Sequence, residues 1–171
     1  MTVAVNHTPQ TVRIVPFDWA YHDNLIALVT AIQRQEFGLP ITAEDQPDLL
    51  NPAQFFRQEG KGEFWLAIND AQVVGCSGLI DCGNQTAALR KMFVHADWRG
   101  GPHGIAQSLL DISLAYAREH GFHQIILGTT DKFIAAHRFY ERNGFHLIAP
   151  DQLPPAFPRM AVDTRFYALE L

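Results

Sequence analysis

The sequence predicts an α/β fold (α+β in its segregation), built on a mixed, mostly antiparallel sheet flanked by helices. Three observations carry this. Short runs with two-residue alternation are interleaved with segments whose apolar residues recur every three or four positions. Two of the strand-like runs are separated only by a turn at Asn69-Asp70-Ala71, the spacing of a hairpin. A later run, "QIILGTT", is apolar enough for a strand covered on both faces, and it follows an amphipathic helix. Hairpins first and a βαβ unit second make a mixed sheet.

The elements follow in order. "TVRIVPFD" (residues 11–18) alternates Val12 and Ile14 and opens the sheet. Residues 24–37 place Leu25, Leu28, Val29 and Ile32 at helical spacing, and Gly38 and Pro40 stop the helix. "ITAEDQPDLLNPAQFFRQEGKG" is interrupted by Pro47 and Pro52 and reads as short helices broken by turns. "EFWLAIN" and "QVVGCSGLID" form the hairpin, and residues 87–95 a further strand. "GIAQSLLDISLAYAREH" buries Ile105, Leu109, Ile112 and Tyr116 on one face, with Gly121 as its C′ residue. After "QIILGTT", Asp131 is in place to cap the helix "KFIAAHRFYERN", which ends at Gly144. "FHLI" is a short strand, "APDQLPPAFPRM" a Pro-rich loop, and "VDTRFYALEL" a closing strand. No repeat, low-complexity tract or linker divides residues 1–171, so one domain is expected.

Composition narrows the function classes. The chain is 47% hydrophobic and 18% charged, with a formal net charge of −5. An acidic balance argues against broad nucleic-acid binding, which needs a basic face. No run approaches membrane-spanning length and no secretory leader pattern opens the chain, so a cytoplasmic protein without a membrane partner is expected. Cys76 and Cys82 form no C-x-x-C motif and read as buried, inert thiols. The histidines in "FHQ", "VHA" and "AHR" have no ligand spacing, so no metal site is expected.

The segment "DWRGGPHGIAQSLLD" (residues 97–111) leaves a strand and opens a helix. Unpaired N–H groups and the helix dipole make such a start an anion site, glycines admit close approach, and Arg99 adds a forked donor. Alone, the pattern is equally an ordinary glycine-rich turn. It lacks the G-K-[ST] ending of a Walker loop and the G-x-G-x-x-G of a dinucleotide fold.

Two separated stretches, "KMFVHADWRGGPHGIAQSLL" and "AAHRFYERNGF", resemble in order and spacing the signature of the GNAT N-acetyltransferase superfamily. "AIQRQEFGLPITAEDQPDL", "LGTTDKFIAAHRFYERNGF" and "LPPAFPRMAVDTRFY" further resemble one bacterial subgroup of it. The resemblance implies a GNAT-like acyl-CoA N-acyltransferase fold with a central splayed parallel strand pair. Acetyl-CoA, with no metal, would lie in the splay. Met92, Phe93 and Val94 would meet the pantetheine arm through main-chain atoms, and Arg99, Gly100, Gly101, Gly104, Ile105 and Ala106 would surround the pyrophosphate. Phe133, where the family often carries asparagine, and Ala136 would face the same cofactor. The loop is two residues longer than the family pattern, which moves Arg99 away from the Gly104-Ile105-Ala106 run.

The implied reaction is direct attack of a primary amine, of a small metabolite or a peptide, on the thioester, with Tyr140 as general acid to the departing thiolate. Without the resemblance Tyr140 reads as a core aromatic. Glu36 is the candidate base, with Gln33 and Asp81 as further acceptor contacts, while Asp81 and His95 rival it as base. Glu36 reads equally as a solvated helix-end residue. Asp48 and Asp163 either line the acceptor pocket or serve local turns; Arg90 and Lys91 either orient an anionic acceptor or face solvent. Exposed strand edges allow a homodimer. A non-catalytic acyl-CoA sensor, or an interaction domain that binds no coenzyme A, is the alternative.

Overall fold

The computed structural model describes residues 11–100 and 104–171. Its strands are β1 (Val12–Pro16), β2 (Glu63–Asn69), β3 (Gln72–Asp81), β4 (Thr86–Val94), β5 (Gln124–Thr129), β6 (His146–Ile148) and β7 (Arg165–Glu170). They form one seven-stranded sheet in the order β1-β2-β3-β4-β5-β7-β6. Every neighbouring pair is antiparallel except β4 with β5, which are parallel and joined through a helix. This is the mixed sheet that the hairpin and βαβ signals predict.

Helices α1 (His22–Thr30) and α2 (Pro47–Leu50) cover one face of the sheet, and α3 (Ile105–Glu119) and α4 (Ile134–Arg142) the other. Strand β2 shows why both faces are needed. Phe64, Leu66 and Ile68 pack with Leu25, Val29 and Leu49, while Trp65 and Ala67 pack with Leu109 and Leu110. Alternation sends successive side chains to opposite faces, and both are apolar. Each fully buried Phe or Leu contributes roughly 1.5–3 kcal/mol. A third cluster, with Ala88, Ile126, Phe157 and Phe166, seats the Pro-rich loop beside the β5–β7 seam.

Two helix ends depart from the sequence reading. The first helix does run on to residue 36, but its last stretch, Ala31–Glu36, is a wide π-helical turn. Such turns occur often at functional sites. The second departure is at α4, which begins at Ile134 with Phe133 at its N-cap and no side-chain capping bond. Asp131 instead accepts a hydrogen bond from the Thr130 hydroxyl at 3.2 Å, in the turn that precedes the helix.

Candidate active site

Strands β4 and β5 run together from Thr86↔Gln124 to Leu89↔Leu127 and then part. β4 keeps its β3 partner to Val94 and β5 keeps β7 to Thr129, so only the seam between them opens. Peptide groups facing that seam have no ladder partner there, and backbone polar groups need one when buried. A cleft of about 560 Å³ occupies the fork. Its walls include Met92, Phe93 and Val94 of β4, Gly128 and Thr129 of β5, Ala106 of α3, and Phe133, Ala136 and Tyr140.

A β-bulge marks the parting. Cys76, Ser77 and Gly78 of β3 stand opposite residues 90–93 of β4, one residue more. Lys91 sits in this bulge at φ +53°, a left-handed conformation that costs a non-glycine residue about 1–2 kcal/mol. Its carbonyl accepts from Cys76 Sγ at 3.0 Å. Burial pushes that thiol up to about 12, so it stays a protonated donor at neutral pH. The bulge also suspends alternation, and Arg90 and Lys91 both reach Asp48 on the α2 side of the sheet.

At the mouth of the fork α3 starts from Gly104, held at φ +54°, ψ 37°. The first bond into the helix runs from Ser108 N–H to Gly104 O, 2.9 Å. The N–H groups of Ile105, Ala106 and Gln107 therefore have no partner among the described residues. Three donors without a partner among the described residues, with the positive end of a fifteen-residue helix behind them, suit an anion. Gly100 and Arg99 line the cleft on the approach; Gly101 lies outside the described residues.

Tyr140 forms part of the cleft wall from α4 and is only 7% exposed. Its ring packs against Phe145 and Tyr167, with centroids at 5.6 and 6.2 Å, and its hydroxyl has no hydrogen-bond partner among the described residues. Burial pushes the phenol well above its usual value, so it remains a proton donor at neutral pH. Phe133 meets Phe37 edge-on at 4.6 Å and Phe93 at 6.1 Å, so an aromatic contact stands where an asparagine side chain would be polar.

The other end of the cleft is charged. Asp48 Oδ2 lies 3.2 Å from Lys91 Nζ and 3.3 Å from Arg90 Nε. Arg90 also donates to Pro158 O at 2.7 Å. Asp163 lines the same space, its Oδ2 accepting Met160 N–H at 2.9 Å. Burial holds the Asp163 carboxyl above its usual range, against the pull of the Met160 N–H and of Arg90, Lys91 and Arg159. Asp163 fits there because Gly128 has no side chain: a Cβ would come within 2.7 Å of Asp163 Oδ2. A glycine inside an apolar strand is the signal that could have found this approach. Gln33, on the π-helical turn, lines the cleft and exchanges two amide hydrogen bonds with Gln46, at 2.8 and 3.0 Å.

Several sequence expectations change. Glu36 is not in the lining. Both its carboxylate oxygens are held by the Arg99 guanidinium, which keeps the carboxyl below its usual value and makes it a poor proton acceptor. Arg99 is correspondingly committed to Glu36 and, through Nε, to Val94 O at 2.9 Å, leaving two of its five N–H donors. Asp81 is not at the cleft: it pairs with Ala87 at the far end of β4 and closes a turn by accepting from Gly83 N–H and Lys61 N–H. His95 accepts from Asp97 N–H and caps the short turn that follows. The Ile105 side chain is buried in the core, so only its N–H points outward. Arg90 and Lys91, far from facing solvent, have side chains only 11% and 2% exposed.

Comparison with known proteins gives concordant findings. The family model described as Acetyltransferase (GNAT) domain matches residues 60–147. A crystal structure of a GNAT-family acetyltransferase from Staphylococcus aureus MU50 superposes with a TM-score of 0.90 at 40% identity, covering 94% of this chain and 99% of that one. An acetyltransferase structure from Streptococcus agalactiae 2603 gives 0.89 at 29% identity, covering 95% and 99%. An N-acetylaspartate synthetase from Xenopus tropicalis is 32% identical over 136 residues, 72% of this chain and 49% of that protein. The chain thus spans about half the length of the curated relatives it matches. No helix among the described residues is long and apolar enough to cross a membrane.

Proposed function

The chain belongs to the GNAT acetyltransferase family, and on that premise we propose that it moves an acetyl group from acetyl-CoA to a primary amine of a small metabolite. The observation that carries this reading is the fork between β4 and β5, with the N-terminus of α3 at its mouth. The free strand edges fit the amide-rich pantetheine arm, and the N–H groups of Ile105, Ala106 and Gln107 fit a pyrophosphate. Bound acetyl-CoA supplies an electrophilic thioester carbon. A relative named N-acetylaspartate synthetase supports a small acceptor rather than a peptide.

The chain's residues divide the proton work. Attack needs a neutral amine. Asp163, in the cleft and with its proton affinity raised by burial, replaces Glu36 as the group that takes the first proton from the acceptor ammonium. Backbone N–H groups along the free edge of β4 face charge that develops on the acyl oxygen. As the N–C bond forms and the C–S bond breaks, Tyr140 gives its hydroxyl proton to the sulfur. The second proton of the nitrogen restores the phenol, and Asp163 returns its own to solvent. An ammonium and a thioester go in; an amide, a thiol and one proton come out.

The test is thiol release from acetyl-CoA against a panel of amines. Tyr140→Phe and Asp163→Asn are each expected to lower kcat by roughly 10²-fold or more, the usual span of a general acid or base, with acetyl-CoA affinity little changed. Full turnover in either variant would remove that residue from the chemistry. Binding of acetyl-CoA without release to any amine would favour the non-catalytic sensor.

A further inference from the structure

Lys91 is a buried ammonium that its surroundings serve poorly. Its side chain is 2% exposed. Asp48 Oδ2 pairs with it at 3.2 Å but is shared with Arg90 Nε at 3.3 Å, and Asp48 Oδ1 is already used by Leu49 N–H. The other contact of Nζ is the Met160 thioether at 3.4 Å, a weak acceptor. An ammonium carries three donors, and buried charges are ordinarily both paired and hydrogen-bonded. Beside it Arg90 shares the same Asp48 oxygen, so two cations meet one carboxylate at the lining of the cleft. Desolvation accordingly pulls the Lys91 ammonium below its usual range.

The arrangement is held at some strain. Strand alternation would put Arg90 and Lys91 on opposite faces, and only the bulge, with Lys91 at φ +53°, brings both to the Asp48 side. Asp163 lines the same cleft beside Met160, with Oδ2 on Met160 N–H and Oδ1 without a partner among the described residues. A site with two cations at one point and a carboxylate at another is complementary to a zwitterion.

We propose that the acceptor is an α-amino acid whose carboxylate is bound by Lys91 and Arg90 while Asp163 receives its ammonium. This rests on the acetyl-transfer reading and names the substrate class for it. Asp48 then acts as a positioning residue, holding the two cations together when no acceptor is present. Peptides with a blocked or distant α-carboxylate, and simple alkyl amines, lack the group that the cations need.

The test compares each of the standard L-amino acids with its α-amide, using wild type, Arg90→Met and Lys91→Met. The carboxylate is expected to be preferred in kcat/KM by about 10²-fold, the loss that accompanies removal of one charge-assisted hydrogen bond. The variants should bring that ratio near unity while keeping acetyl-CoA affinity. Lys91→Gly, which suits the left-handed backbone, serves if Lys91→Met does not fold. A second readout needs no turnover: calorimetry of N-acetyl-L-amino acids into the coenzyme A-loaded protein should show binding that Lys91→Met abolishes. Equal rates for acid and amide, or an unchanged preference in the variants, would overturn the proposal and leave acetyl transfer standing. Calorimetric binding that depends on Lys91, with no thiol release from any amine, would sink the transfer reading and with it the acceptor role, leaving only a carboxylate-binding site. Absence of any such binding overturns the amino-acid proposal.

Discussion

The Glu36–Arg99 pair stands at the rim of the cleft, with side chains 32% and 37% exposed, where water screens it. Its function is geometric: it draws the end of the π-helical turn against the loop that follows β4 and fixes Arg99 Nε on Val94 O. Because the guanidinium lowers the Glu36 carboxyl, the pair's contribution is complete above the unfolded value near 4.5 and is lost as pH falls through the lower folded value. Glu36→Gln should therefore be less stable than wild type at neutral pH, by no more than about 1 kcal/mol. The gap should shrink as pH drops below about 4.5. Urea midpoints of both proteins across that range measure it, and a gap that widens in acid contradicts the assignment.

Among the elements, α3 depends on its first residue. Gly104 occupies the left-handed region and has open space around it, so an added methyl group meets strain and no clash. Gly104→Ala is expected to destabilise the fold by about 1–2 kcal/mol through the backbone alone. The same change re-aims the N–H groups of Ile105, Ala106 and Gln107, so acetyl-CoA affinity should fall while the acceptor KM moves little. Denaturant midpoints and calorimetry separate the two effects. Intact affinity would place the pyrophosphate elsewhere. Strand β4 has the complementary dependence: its bulge is stabilised by Cys76 Sγ on the Lys91 carbonyl, a contact that belongs to the β3–β4 pairing and not to β4 itself.

For the whole molecule the fork is a seam between two halves of the sheet, β1 to β4 on one side and β5 to β7 on the other, held by four parallel residue pairs. A ligand that bonds both free edges replaces the missing ladder. Acetyl-CoA at a hundredfold excess over its Kd should stabilise the native state by about 2.7 kcal/mol. For a chain of this size that is a rise in Tm of roughly 5–10 °C, growing with the logarithm of ligand concentration. A flat Tm would leave the fork without its ligand and remove the basis of the transfer reading.

Local pattern was enough for much of this. Period-two and period-3.6 runs depend on neighbours a few residues apart, and they delivered the strands, the helices and their order. The glycine-rich start of α3 and the position of Tyr140 were legible for the same reason, each lying within one continuous stretch. Sequence could not assign Asp81, Glu36, Arg90 or Lys91, because their roles depend on which distant partner arrives. Asp81 sits on a strand that runs toward the wrong end, and Glu36 meets a guanidinium 63 residues away. Arg90 and Lys91 share a face only because pairing with β3 forces an extra residue into β4. The sequence by itself determined the fold class and the glycine-rich turn that opens α3. Only the tertiary structure decided the charged end of the cleft, because it joins α2, the β4 bulge and the loop before β7, segments that meet through long-range packing and carry no joint signal in the chain.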